Sequence, residues 1–153
     1  MMNTILLAVD DSPASAKAID YLASWLKGTA ASVRVVHVLP HATTVAAKTG
    51  SDRPSRSERW LAMSREEAQP ILMKAVERLK RDGMDPGAVE EGFLYLHPDV
   101  TAAQGLIDVA HEHSCTTLVV GRNALPWHRE LFHHHIADEL VKKAAGCTIW
   151  VVE

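Results

Sequence analysis

Histidine is concentrated near the C-terminus, where His128 is followed by His133, His134 and His135 in succession. Imidazole is a common transition-metal ligand and the one side chain that normally titrates near neutrality. A zinc or nickel site built from His97, His128, His133 and His135 is therefore the first chemistry to weigh. The spacing speaks against it. Consecutive residues on a helix point about 100° apart, so no more than two of the three neighbours share one ion readily. Zinc motifs also tend to separate their histidines by three to five residues. The plainer reading is a polar, solvated helix start, and no cofactor is required. Nucleophilic catalysis has less support still. Ser12, Asp10 and a histidine can be named together, but the chain has no nucleophile elbow, so no catalytic residue is assigned.

The elements that must carry these residues alternate. Ile5 to Val9 is an apolar run of the kind found in strands buried on both faces. Asp10-Asp11-Ser12-Pro13 ends it, with Ser12 as N-cap and Pro13 in the first turn of a helix marked by Ile19, Leu22, Ala23 and Leu26. Val33 to Leu39 is the second strand. A segment from Pro40 to about Arg59 follows, too long for a simple connection. Ser64-Arg65-Glu66-Glu67 reads as a capping box for the next helix, although Pro70 then falls within it. Val89 to Leu96 is a third strand, and His97-Pro98-Asp99 opens a third helix. Thr117 to Val120, a loop containing Trp127, a helix over Ile136 to Ala144, and a strand over Thr148 to Val152 complete the chain. Five strands alternating with four helices predict a three-layer open parallel sheet with helices on both faces. On such a sheet His41, His97, His128 and His133 to His135 share the carboxyl edge, where ligands bind.

The whole chain narrows the classes. Its 153 residues suit one domain, 1–153, burying roughly 70% of its unfolded surface. A formal charge of −3 and no basic block give no footprint for nucleic acid. No stretch approaches the ~20 apolar residues of a membrane span, and the N-terminus lacks a signal peptide's basic region. Cys115 and Cys147 lie in no metal or redox spacing, as expected of thiols in a reducing cytoplasm.

The opening ILLAVDDSPASAKAI, the strand VRVVHV and the closing LVVG, loop, helix and strand resemble the universal stress protein family over nearly the whole length. The resemblance implies a flavodoxin-like fold with strand order 3-2-1-4-5. Nucleotide-binding members carry G-x2-G-x9-G-S/T after the fourth strand. Here Gly121 matches the first glycine, Ala124 replaces the second, and His134 and His135 stand where glycine and a small hydroxyl residue belong. Asp10, Val38 and Ile136 complete the nucleotide-pocket candidates that the family layout implies. The family also commonly pairs its last strand across a two-fold axis, which here implies a homodimer through Thr148, Ile149, Trp150, Val151 and Val152.

A ring at position 134 crowds the place where glycine lets phosphate approach the main chain. The chain is therefore expected to be a dimeric regulatory or binding protein, not an enzyme. Its nucleotide site is degenerate, and it acts in stress response through an unidentified protein partner. The alternatives are an ATP-binding member with at most slow hydrolysis, and the metal-binding variant.

Overall fold

The computed structural model describes residues 3–39, 54–122 and 136–153, with backbone alone for 54–63. Five parallel strands form one sheet: β1 (Thr4–Ala8), β2 (Ser32–Leu39), β3 (Val89–Tyr95), β4 (Thr117–Gly121) and β5 (Thr148–Val152), in the order β3-β2-β1-β4-β5. Helices α1 (Pro13–Leu26) and α2 (Pro54–Arg81) cover one face, and α3 (Ala102–Glu112) and α4 (Ile136–Lys143) cover the other. This is the three-layer arrangement that the alternation of elements implies.

Burial on both faces explains the unbroken apolar runs. Along β1, Ile5 and Leu7 enter the first-face core with Leu22 of α1 and Leu72, Ala75 and Leu79 of α2. Leu6, between them in sequence, enters the second with Leu106 and Ile107 of α3 and Leu140 of α4. A side-chain period of two sends alternate residues to opposite cores, so a strand between two helical layers needs apolar groups at every position.

Two helix starts differ from the sequence reading. The second helix begins at Pro54, ten residues before the expected capping box, and runs continuously through Pro70. Part of the long connection, from Pro54 onward, is thus helical. Pro70 is exposed while Ala68 and Leu72 are buried, so the ring faces solvent and the apolar stripe packs without interruption. Further along, Arg65 lies over the Phe93 ring, 5.6 Å from its centroid, and ties the helix to β3. Packing has outweighed a local helix breaker.

The third helix starts at Ala102, not at His97-Pro98-Asp99. Those residues form a turn in which the Val100 N–H donates to the His97 carbonyl at 3.1 Å. Thr101 is the cap, its hydroxyl accepting from the Gln104 N–H at 3.1 Å. Gly105 lets this helix lie close to β3: a Cβ there would meet Leu96 Cδ2 at 2.7 Å and Leu94 Cδ2 at 3.3 Å.

Because Pro70 faces water and withholds one helical N–H, Pro70→Ala should stabilise the protein. The gain is bounded by about 3 kcal/mol for proline against alanine in a helix interior. A melting temperature higher by several degrees is the expected result. A lower one would show that the proline ring sets a bend on which packing depends.

Candidate functional site

Strands β1 and β4 are neighbours whose following helices leave to opposite faces of the sheet. That makes their carboxyl ends the switch point at which ligands bind in open α/β sheets. Asp10 stands at the end of one strand and Gly121 at the end of the other.

The turn from β1 into α1 is closed by its own polar groups. Asp10 Oδ1 accepts from the Ser12 N–H at 2.9 Å, and the Asp10 N–H donates to Ser15 Oγ at 3.0 Å. Ser12 Oγ accepts from the Ser15 N–H at 3.1 Å, which caps α1 as the sequence predicts. Ser15 is buried, so its hydroxyl requires this partnership. Asp10 remains exposed while its two bonds close the turn.

Gly121 is held by a different demand. A Cβ at this position would lie 2.5 Å from the Ala14 carbonyl carbon, 2.6 Å from its oxygen and 2.7 Å from the Ser15 nitrogen. All three are backbone atoms of the first turn of α1, which cannot yield as a flexible side chain can. Glycine is required here for helix-on-strand contact, whatever the crevice holds.

Arg122 follows at once. Its N–H continues the ladder to the Val152 carbonyl at 2.7 Å. Its guanidinium reaches Glu153 at 2.8 Å and Asp138 at 2.5 Å, and these carboxylates, Glu153 foremost, stabilise its charge. Sequence reasoning missed both Ser15 and Arg122. Ser15 left a faint signal in the serine spacing after Asp10, whereas nothing local ties Arg122 to the last residue of the chain.

The other candidates divide. Val38 is a core residue of the second face, and Ile136 packs partly buried against the same cluster. Ala124, His41, His128, His133, His134, His135 and Trp127 lie outside the described residues. His97 is exposed beyond β3. Among the described residues, no three His, Cys, Asp or Glu side chains are grouped to hold a metal. His37 is engaged inside the fold. Its Nδ1 is 2.8 Å from the Val9 carbonyl, which can only accept, so that nitrogen carries the proton. His111 lies at the opposite end of the sheet, with Nε2 2.9 Å from the Ala145 carbonyl. No described helix is long and apolar enough to cross a membrane.

The model of the universal stress protein family matches residues 1–153. The chain belongs to the universal stress protein family. Solved structures of universal stress proteins share its fold. One from Burkholderia pseudomallei is 21% identical, with 98% of this chain and 95% of that one covered and a TM-score of 0.72. A universal stress protein in complex with cAMP is 17% identical, with 99% and 97% covered and a TM-score of 0.67. The universal stress protein from Archaeoglobus fulgidus in complex with dAMP is 19% identical, with 100% and 98% covered and a TM-score of 0.61. No match to this universal stress protein was found among curated proteins.

The Gly121 contact is testable without any ligand. Gly121→Ala should destabilise the protein by about 1–3 kcal/mol through overpacking against α1. Urea unfolding should show the loss equally with and without adenine nucleotide. A neutral result would mean that the first turn of α1 can retreat.

Proposed function

We propose that this universal stress protein is a regulatory binding protein that works through protein contacts in the stress response, with a nucleotide site too reduced to hold ATP tightly. The observation that carries this reading is the first turn of α4. Asp138 and Glu139 stand there, and Arg122, the nearby cation, already bridges Asp138 and Glu153. A helix N-terminus attracts phosphate through its dipole and unpaired N–H groups. Here the Asp138 carboxylate meets the dipole first and would repel a phosphate, while Glu139 is paired with Lys143 at 2.7 Å. The substitutions at Ala124, His134 and His135 act in the same direction. Gly121, the one motif glycine retained, has a packing role that accounts for it without a ligand.

Weak binding of adenine nucleotides is the second reading. It is favoured by the two relatives that hold cAMP and dAMP, and by the exposed Asp10 at the corresponding edge of the sheet. This reading includes at most slow ATP hydrolysis.

Titration calorimetry should give an ATP dissociation constant weaker than about 100 μM, equivalent to about −5.5 kcal/mol. The double variant His134→Gly, His135→Ser should bind detectably better. A low-micromolar constant in the parent protein would overturn the reading.

The proposal includes a homodimer through β5. Among the described strands, β5 pairs with β4 alone. The Thr148 N–H donates to the Thr116 carbonyl, and the Val152 carbonyl accepts from the Arg122 N–H. Residues 148, 150 and 152 therefore point their backbone groups into the sheet, and Ile149 and Val151 point theirs outward. An edge of this kind is a template for a second strand. Val151→Pro removes an outward donor and spares the β4 ladder. It should weaken the dimer at least tenfold in sedimentation while the monomer stays folded by circular dichroism. A monomeric parent at tens of micromolar would refute the dimer.

A further inference from the structure

The two edges of the sheet are built differently. Among the described strands, β3 pairs with β2 alone and β5 with β4 alone, so each leaves one row of backbone groups unpaired. Strand β3 carries Glu90 and Glu91, and two copies meeting there would set like charges against each other. Strand β5 reads TIWVV, with no charge, proline or glycine to deter pairing.

Apolar surface gathers around that undefended edge. On the first face Trp150 lies 6.1 Å from Tyr21 and 6.0 Å from Trp25, ring centre to ring centre, and the two α1 rings are 6.2 Å apart. A spacing of four residues puts Tyr21 and Trp25 on one flank of α1, where both stay exposed. On the second face, Glu139 accepts from the Thr101 hydroxyl at 3.0 Å, so that flank of α4 looks toward α3. Val141 stands about 200° further round the helix. It is therefore on the opposite flank, toward the free edge of the sheet, and is exposed as well.

We infer that Tyr21, Trp25 and Trp150 are an aromatic contact surface for a second copy of this chain, with Trp150 set against the partner subunit's Trp150 on the two-fold axis. The inference rests on the proposed β5 homodimer and fixes its register and what flanks it. Ile149 and Val151 turn their backbone groups outward. In the antiparallel register that overlaps all five strand residues, Ile149 exchanges hydrogen bonds with the partner's Val151, and Val151 with the partner's Ile149. Trp150 then meets its own copy as a non-hydrogen-bonded pair, the Cα atoms about 4.5 Å apart and both rings on one face. Tyr21 and Trp25 of each copy close on that pair from either side. Area argues for their inclusion. Five residues at about 3.4 Å each, in a layer about 10 Å thick, offer a bare edge on the order of 200 Å². A standard interface takes about 800 Å² from each partner. The exposed rings, with Val141 on the other face, supply part of the difference, and buried tryptophan and tyrosine are where binding energy concentrates.

Sedimentation equilibrium on the full chain tests the surface. Trp25→Ser changes an exposed side chain outside the strand, so circular dichroism should be kept while dimer affinity falls at least tenfold. Disulfide trapping tests the register, in a chain carrying Cys115→Ala and Cys147→Ser. With Trp150→Cys added, oxidation by copper phenanthroline should give a covalent dimer. Ile149→Cys in the same background should give none, because it faces position 151 of the partner and not its own copy. Unchanged affinity in Trp25→Ser, with Val151→Pro still dissociating the dimer, would overturn this inference and leave the β5 dimer standing. A covalent dimer from Ile149→Cys and none from Trp150→Cys would overturn the register. A parent protein monomeric at tens of micromolar would remove the dimer and this surface together.

Discussion

The contact between Gly121 and the first turn of α1 is the constraint around which the switch point is arranged. Two backbones approach there to a distance that excludes even one methyl group. The Asp10, Ser12 and Ser15 bonds fix where α1 begins, and the glycine fixes how near that beginning lies to β4. Together they set the carboxyl edge of the two central strands. A residue that reads as part of a phosphate cradle therefore has an older obligation, to the packing of helix on strand. Its presence says little about nucleotide.

Support diminishes outward from that centre. The central strands are covered on both faces, but β5 is half-exposed over most of its length. Its Trp150 closes the first face by lying 6.1 Å from Tyr21 and 6.0 Å from Trp25, ring to ring, in edge-on geometry that aromatic pairs favour. Those two partners are themselves 44% and 60% exposed. Arg78 makes the complementary tie, joining Asp20 of α1 at 2.7 Å to Asp82 after α2 at 2.6 Å. Such exposed ion pairs contribute little energy. The last strand thus depends on aromatic surface and on the ladder to β4.

Much of this was legible in the sequence because burial on two faces leaves a simple trace. Apolar runs at Ile5, Val33, Leu118 and Thr148 gave the strands, and the Ser12-Pro13 cap gave the start of α1. The strand order came from family resemblance and not from periodicity, which carries no information on neighbours. Helix starts failed where two local signals competed. Ser64 lies inside a helix that begins at Pro54 and runs on through Pro70, and Asp99 lost to Thr101 because a hydrogen-bonded turn had already claimed the residues before it. In the site, residue types announced chemistry but not obligation. The roles of Gly121 and Arg122 arise from contacts with residues that the sequence leaves far away.

The Arg122 bridge also links the two ends of the segment on which any nucleotide reading depends. One guanidinium sits at the end of β4, where that segment begins. It holds Asp138 at the start of α4, where the segment ends, and Glu153 at the last residue. An anion seated against the N-terminus of α4 would compete with Asp138 for this cation. Either Arg122 keeps its carboxylates and the phosphate is left unpaired, or it turns to the phosphate and releases two negative charges beside it. Both routes cost electrostatic energy where the favourable helix dipole is worth only about 0.3–1 kcal/mol at an exposed site. On the proposed reading, the guanidinium that ties Glu153 to the start of α4 is therefore already engaged where a phosphate would need it.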